Sequence, residues 1–178
     1  MVNAVVLAVV GWLLISYSEQ YQYVSPDSNT YTHTALLTPV NKVPHFNLQD
    51  YNGKMVSLAD FIGKPLVIHF WVTWCSFCRK ELMDFAAIQE EFGHDVVIIV
   101  IDRAESREMA KKYTDALGIT DDLLFLLDPL DALYPSIGGF SMPETIFVDR
   151  NGNIVDHKRG LMEKDEMRQK MQKLLLLQ

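Results

Sequence analysis

The sequence predicts an α/β domain built on a mixed β-sheet, and three features of the chain support this fold class. A nearly continuous apolar, β-branched run at 65–72 is typical of a strand that is buried on both faces of a sheet. Helix-like and strand-like segments alternate after it, as in parallel strands joined by helices. Asn151-Gly152, between two further strand-like segments, is a strong signal for an antiparallel hairpin. Parallel and antiparallel pairs together make the sheet mixed.

The first part of the domain is predicted to be a strand–helix–strand unit. The strand at 65–72 should lie at the centre of the sheet, because almost all of its side chains are apolar. A helix is predicted from the cysteine pair to Phe92, with Gly93 as its stop signal. A second buried strand is predicted at 96–101. The apolar positions of the helix recur at helical spacing: Leu82, Phe85, Ile88 and Phe92.

The second part of the domain adds a helix, a strand, a hairpin and a closing helix. A polar helix is predicted at 106–117, ahead of a glycine, and a short strand at 125–127. The hairpin strands are expected at 144–148 and 154–158. The closing helix carries one apolar face for packing, formed by Met167, Met171 and Leu174.

The N-terminal part of the chain is expected to attach this domain to a membrane. Residues 2–17 are an uncharged apolar run that would span roughly 24 Å as a helix, at about 1.5 Å per residue. A cleaved secretory signal is the alternative, but the basic segment typical of such signals does not precede the run, and an uncleaved single-pass anchor at 1–17 is favoured. Residues 18–38 are predicted to be a polar linker, which leaves 39–178 for the domain. Since no Lys or Arg follows the run until Lys42, the domain is expected to be extracytoplasmic.

Charge and cysteine count exclude several classes of function. The chain carries 16 Lys and Arg against 23 Asp and Glu, a formal charge of -7. This sign disfavours binding to nucleic acid. The two cysteines, Cys75 and Cys78, are too close in sequence to bridge distant parts of a small secreted fold. They are therefore either a redox pair or half of a metal site.

The predicted strand-to-helix junction at the cysteine pair favours redox chemistry. At a helix start the Cys75 sulfur would lie among unpaired backbone N–H groups, which stabilise a thiolate. Cys78 falls one turn further along the same face, so a disulfide can close between the two. Cys75 is thus the expected nucleophile and Cys78 the resolving thiol. A closed zinc site would need two more ligands, whereas the sequence has no second CxxC and five scattered histidines.

Two longer stretches resemble a known family. They are VPHFNLQDYNGKMVSLADFIGKPLVIHFWVTWCSFCRKEL at 43–82 and MPETIFVDRNGNIVDHKRG at 142–160, and both are similar to the ResA/TlpA/CcmG group of thioredoxin-like proteins. The resemblance implies a thioredoxin-like fold and a membrane-attached thiol-disulfide oxidoreductase. Such a protein takes electrons from a membrane dithiol donor and reduces oxidised client proteins outside the cytoplasm, often apocytochrome c.

The resemblance also implies residues that contact the substrate. Pro143 matches the family's cis-proline, whose loop packs beside the active disulfide and pairs with the substrate backbone. Met142 would then lie beside the two sulfurs, and Trp74 is the Trp of the WCxxC motif. The plainer interpretation of Met142 is an ordinary turn residue.

Two further positions are candidates for moving protons. Glu81 matches the family's acidic position three residues after the second Cys, where a carboxylate can take the proton of Cys78. A solvated helix glutamate is the alternative. His69 lies six residues before Cys75, where thioredoxins carry a buried Asp and this group often carries Asn. It is a candidate proton relay, and a hydrogen-bonded core histidine is the alternative.

Two rival functions share parts of these patterns. A peroxiredoxin-like thiol peroxidase has the same Pro-x-Phe-x-Leu opening, but no Pro shortly precedes Cys75. A Cu(I) delivery module would use both cysteines and a histidine, but its relatives space the cysteines as CxxxC. For the favoured oxidoreductase no metal and no cofactor is expected. Ser76-Phe77 separates the cysteines where Gly-Pro or Glu-Pro is common, so the direction of electron flow is taken from the resemblance.

Overall fold

The computed structural model describes residues 41–177, which are built around a seven-stranded sheet. Across the sheet the strands lie in the order β2-β1-β5-β4-β3-β6-β7. Strands β3, β4 and β5 are parallel neighbours, and every other neighbouring pair is antiparallel. The mixed sheet is confirmed. In chain order the strands are β1 (Asn47–Asp50), β2 (Met55–Ser57), β3 (Leu66–Trp71), β4 (Val97–Arg103), β5 (Leu124–Asp128), β6 (Glu144–Val148) and β7 (Ile154–Arg159).

Four α-helices accompany the described strands. They are α1 (Ser76–Phe92), α2 (Arg107–Leu117), the short α3 (Leu133–Ser136) and α4 (Lys164–Leu176), and a 3-10 turn covers Leu58–Phe61. The predicted strands and helices agree with these bounds to within about two residues; β1, β2, α3 and the 3-10 turn are not predicted from the sequence. Local apolar spacing was sufficient for the long elements, because burial repeats every second residue in a strand and every third or fourth in a helix.

The core consists of two apolar clusters on opposite faces of the sheet. Along β3 successive side chains alternate between them, since neighbouring residues of a strand point to opposite faces. Val67 and Trp71 belong to the cluster that contains both cysteines, whereas Ile68 and Phe70 belong to the other. Every residue of β3 is buried, which confirms its central position. His69 therefore points to the same face as Val67 and Trp71.

An N-terminal hairpin at one edge of the sheet is not predicted from the sequence. β1 and β2 pair antiparallel around Asn52-Gly53, and Gly53 has a φ of 82°, which favours glycine. Asp50 Oδ1 accepts hydrogen bonds from the backbone N–H groups of Asn52 and Lys54 at 2.8 and 2.9 Å. The same Asn-Gly signal marks the β6–β7 hairpin, but β1 and β2 have 4 and 3 residues and no apolar run to accompany it.

The predicted anchor at 1–17 and linker at 18–38 lie outside the described residues. Within 41–177 no helix has both the length and the apolar character needed to cross a membrane.

Candidate active site

The two cysteines lie where β3 gives way to α1. Cys75 is the N-cap residue of α1, and its Sγ accepts a hydrogen bond from the backbone N–H of Cys78 at 3.1 Å. The two residues form a disulfide with 5.3 Å between their Cα atoms. Cys75 keeps 6% of its surface exposed and Cys78 none. An incoming thiolate or disulfide can therefore reach Cys75 first, and the helix start stabilises the Cys75 thiolate.

The loop that leads into Cys75 is fastened to the end of the neighbouring strand. The backbone N–H and the hydroxyl of Thr73 donate to the two carboxylate oxygens of Glu105, at 2.8 and 2.6 Å. The Cys75 N–H donates to the carbonyl of Val72 at 3.2 Å. Glu105 is 32 residues from Thr73, so no local pattern in the sequence indicates this contact. These bonds hold the nucleophile in place before a client arrives.

A second loop, 140–143, leads into β6. Its Met142–Pro143 peptide bond is cis. Met142 is half-buried and packs against both apolar clusters, one of which contains Cys75 and Cys78. The structure therefore has the cis bond predicted at Pro143 and places Met142 against the core cluster that includes the cysteine pair, whereas their contact with substrate stays a prediction.

Buried Glu144, which follows the cis-proline, holds this loop and was not among the predicted site residues. Its Oε2 accepts hydrogen bonds from the hydroxyl of Tyr134 at 2.7 Å and from the backbone N–H groups of Phe140 and Ser141 at 3.1 Å each. Its Oε1 lies 2.5 Å from His157 Nε2. Burial opposes ionisation of Glu144, but His157, Tyr134 and the Ser141 N–H outweigh it and lower the pKa of the carboxyl. A Glu beside a proline in an apolar strand is the signal that could have identified it.

Glu81 lies one turn beyond Cys78 on α1 and is wholly buried, so the solvated-helix interpretation is wrong. Its Oε1 accepts a hydrogen bond from the Met162 N–H at 2.7 Å. Its Oε2 has no hydrogen-bond partner in the described part of the chain. Burial raises the pKa of Glu81 to about 8, because the anion has lost its water. The carboxyl therefore exchanges its proton close to neutral pH.

His69 faces Glu81 from β3 and is also wholly buried. Its Nδ1 lies 3.0 Å from the Thr145 hydroxyl on β6, and its Nε2 lies 4.0 Å from Glu81 Oε2. Burial lowers the pKa of His69 to about 3, so the ring is neutral at pH 7. With Glu81 protonated as well, the two form a neutral pair rather than a salt bridge.

Large apolar side chains are exposed on the cysteine segment and on the 140–143 loop. Trp74, Phe77 and Phe140 expose 75%, 58% and 77% of their surfaces. The guanidinium of Arg159 lies 4.9 Å from the centre of the Phe140 ring. Exposed aromatic groups of this size are typical of a surface that binds another molecule. Within residues 41–177 no group of three or more His, Cys, Asp or Glu side chains is arranged to hold a metal ion.

An accessible cysteine at a helix start, a buried partner one turn on and a cis-proline loop beside them define the thioredoxin-fold class of dithiol proteins. The chain belongs to the redoxin family, whose family model matches residues 39–175. It is similar to thioredoxin-like protein YneN of Bacillus subtilis, with 32% identity over 73% of this chain and 76% of that protein. It is also similar to thiol-disulfide oxidoreductase ResA of Geobacillus thermodenitrificans, with 25% identity over 83% of this chain and 84% of the relative.

A solved structure supports the same assignment. The exposed lipoprotein thioredoxin of Streptococcus pneumoniae matches with a TM-score of 0.64 and 31% identity, over 74% of this chain and 100% of that one. With the Cys75–Cys78 disulfide, these likenesses identify a ResA-like protein thiol-disulfide oxidoreductase with a thioredoxin-like fold.

Proposed function

We propose that this protein reduces disulfides in client proteins on the extracytoplasmic side of a membrane, to which its N-terminal segment anchors it. The observation that carries the proposal is the asymmetry of the cysteine pair. Cys75 keeps a small exposed area and caps the start of α1, whereas Cys78 is wholly buried one turn from a carboxyl with a raised pKa. Such a pair suits an attacking thiolate followed by a resolving thiol.

The exchange proceeds in two steps. In the first, the Cys75 thiolate attacks a client disulfide, which forms a mixed disulfide and releases one client thiolate. In the second, Cys78 gives its proton to Glu81 in the fraction of molecules whose carboxyl, with a pKa of about 8, is ionised near neutral pH, and Cys78 attacks Cys75 Sγ, so that the second client thiolate leaves. The client gains two electrons, and the protein is left with the Cys75–Cys78 disulfide. A membrane dithiol donor then returns two electrons to the pair.

The surface around the pair supports polypeptide clients. Trp74 and the loop of Met142 and Pro143 are the proposed substrate contacts, and the exposed rings of Phe77 and Phe140 add apolar area. Apolar side chains around a cysteine are accessible in unfolded or partly folded chains and buried in most folded ones. Oxidised apocytochrome c, the client that the family resemblance implies, is a chain of this kind.

The extracytoplasmic location is supported by the sequence and by a relative. The apolar run at 2–17 is followed by a segment without Lys or Arg, which is typical of a flank outside the cytoplasm. The pneumococcal structure at 31% identity is described as an exposed lipoprotein thioredoxin. Alkylation of Cys75 in intact cells, in a variant that keeps Cys75 as its single cysteine, tests the location directly when the reagent does not cross the membrane. Protection of Cys75 in intact cells and labelling after lysis would refute it.

A redox titration of the full chain in detergent tests the direction of electron flow. A midpoint near or below about -270 mV, the value of thioredoxin, is expected for a reductant, whereas a value near about -120 mV would indicate an oxidant. Reduction of insulin by the dithiol form is the matching activity assay. Cys75→Ser is the control and should be inactive in it.

A further inference from the structure

A pair of buried polar atoms lies one helical turn from Cys78, and thiol exchange alone does not require it. His69 Nε2 and Glu81 Oε2 face each other across 4.0 Å, and both side chains are wholly buried. Neither atom has a hydrogen-bond partner within residues 41–177. Unpartnered polar atoms are rare inside proteins because they have lost their bonds to water, so each of these calls for an explanation.

The other polar atom of each side chain already has a hydrogen-bonding partner, so the two facing atoms, His69 Nε2 and Glu81 Oε2, are left to interact with each other. His69 Nδ1 lies 3.0 Å from Thr145 Oγ1, and Glu81 Oε1 accepts the Met162 N–H at 2.7 Å. The His69 ring also packs on Phe85 of α1, with 4.9 Å between ring centres. The ring is thus held from two sides, and its Nε2 stays directed at Glu81. A closure of about 1 Å would bring Nε2 and Oε2 to ordinary hydrogen-bond distance.

We propose that His69 is a positioning residue for the Glu81 proton: its Nε2 accepts the O–H of the carboxylic acid and so holds on Glu81 the proton that Cys78 releases. The inference rests on the proposed function, because the proton comes from Cys78 only if Cys78 is the resolving thiol. In that step the S–H bond of Cys78 breaks, the O–H bond of Glu81 forms, and a sulfur–sulfur bond to Cys75 replaces the one to the client. The leaving client thiolate takes its proton from water. His69 supplies only a lone pair.

The charged groups around Glu81 leave the pair neutral. Lys80 and Asp84 flank Glu81 on α1, and Lys158 approaches from β7. Lys80 and Asp84 pair with each other at 2.7 Å, and Lys158 pairs with a carboxylate of α4 at 3.0 Å. Burial therefore dominates, raising the pKa of Glu81 to about 8 and lowering that of His69 to about 3. At pH 7 the pair holds one proton, on the carboxyl.

The substitution His69→Asn separates the two contacts of the ring. An Asn amide reaches about as far as Nδ1, so it can keep the contact with Thr145, but it has no atom at the position of Nε2. The change removes the acceptor for the acid and leaves room for water, and both effects favour the Glu81 carboxylate. The pKa of Glu81 should therefore fall.

Nitrogen NMR of the histidine rings in the full chain tests the inference directly. In the oxidised protein at pH 7, His69 should be neutral with Nε2 unprotonated. Raising the pH through about 8 removes the proton from Glu81, so the Nε2 signal of His69 should shift although the ring itself stays neutral. Glu81→Gln cannot lose this proton and is the control, in which the His69 signal should not change. An unchanged His69 signal, or the same change in Glu81→Gln, overturns the proposal.

Activity of His69→Asn separates this inference from the proposed function. The variant should still reduce a peptide disulfide. The limb of its pH–rate profile that depends on Glu81 should move to lower pH by about 0.5 pH unit or more. Exposed His94→Asn is the matched control and should leave the profile unmoved. If the unsubstituted protein reduces no disulfide, the proposed function fails. If it is active and His69→Asn leaves the limb in place or moves it to higher pH, only the inference about His69 fails.

Discussion

Replacing Glu81 with Gln should make the protein more stable at alkaline pH. The pKa of this carboxyl is raised from 4.5 to about 8, so the folded state holds the proton more tightly than the unfolded chain does. The stability that this contributes is complete below about pH 4.5 and is lost as the pH rises through about 8. Gln is uncharged at every pH and keeps an oxygen for the Met162 N–H. The variant therefore removes the alkaline loss.

The size of the effect follows from the pKa. At about 1.4 kcal/mol per pH unit, a rise from 4.5 to about 8 sets an upper limit of about 5 kcal/mol. Relaxation around a buried charge reduces this, and about 2 kcal/mol between pH 5 and pH 9 is a reasonable expectation.

Urea unfolding of the oxidised protein and of Glu81→Gln, in steps from pH 5 to pH 9, measures this effect. The difference in the free energy of unfolding should grow in favour of the variant up to about pH 8 and then level off. Glu90→Gln, at an exposed position of the same helix, is the matched control and should follow the unsubstituted protein. Parallel curves for Glu81→Gln and the unsubstituted protein would refute the raised pKa.

Four further predictions concern the chemistry of the site. In the reduced protein Cys75 should react with iodoacetamide before Cys78, because it keeps 6% of its surface exposed while Cys78 keeps none, and because it lies at the helix start; peptide mapping that shows Cys78 labelled first would reverse the two roles. Cys78→Ser should trap clients as mixed disulfides on Cys75, visible on non-reducing gels, and full turnover would mean that another thiol resolves them. Glu81→Gln should slow reduction of insulin by about 100-fold or more, and an effect below about threefold would remove it from the mechanism. Glu144→Gln should raise KM for a protein client more than it lowers kcat, because it loosens the loop and leaves both thiols intact; an unchanged KM would contradict that role.

Most of the fold was predictable because its signals are local. The run at 65–72 identified the central strand, and the spacing of apolar residues identified the long helices. The β1–β2 hairpin was missed although Asn52-Gly53 is a turn signal of the same type as Asn151-Gly152. Its strands are short and only partly buried, and the contacts that order them come from β5, far along the chain.

The site was predictable only in part, for a similar reason. The motif at 74–78 predicted the pair of Cys75 and Cys78, and the family resemblance predicted the cis bond at Pro143. The environment of Glu81 was not predictable, because its burial depends on the segment after β7 that donates the Met162 N–H. The contact between Thr73 and Glu105 likewise joins residues from different strand ends. Sequence spacing reports neighbours along a helix or strand, and these partners are neighbours only across the fold.

The bonds from Thr73 to Glu105 bear on how fast and how selectively the protein can work. Since the carboxylate of Glu105 fastens the loop before Cys75, the conformational entropy of that loop is lost once, on folding, and not again at each encounter with a client. Because the loop that carries Cys75 is held in place, the disulfide of the client has to adopt the geometry that attack requires. A disulfide in a flexible segment can turn to align its sulfur with Cys75, whereas one held in a rigid fold cannot. We therefore expect the protein to react faster with disulfides in flexible segments than with those in rigid folds.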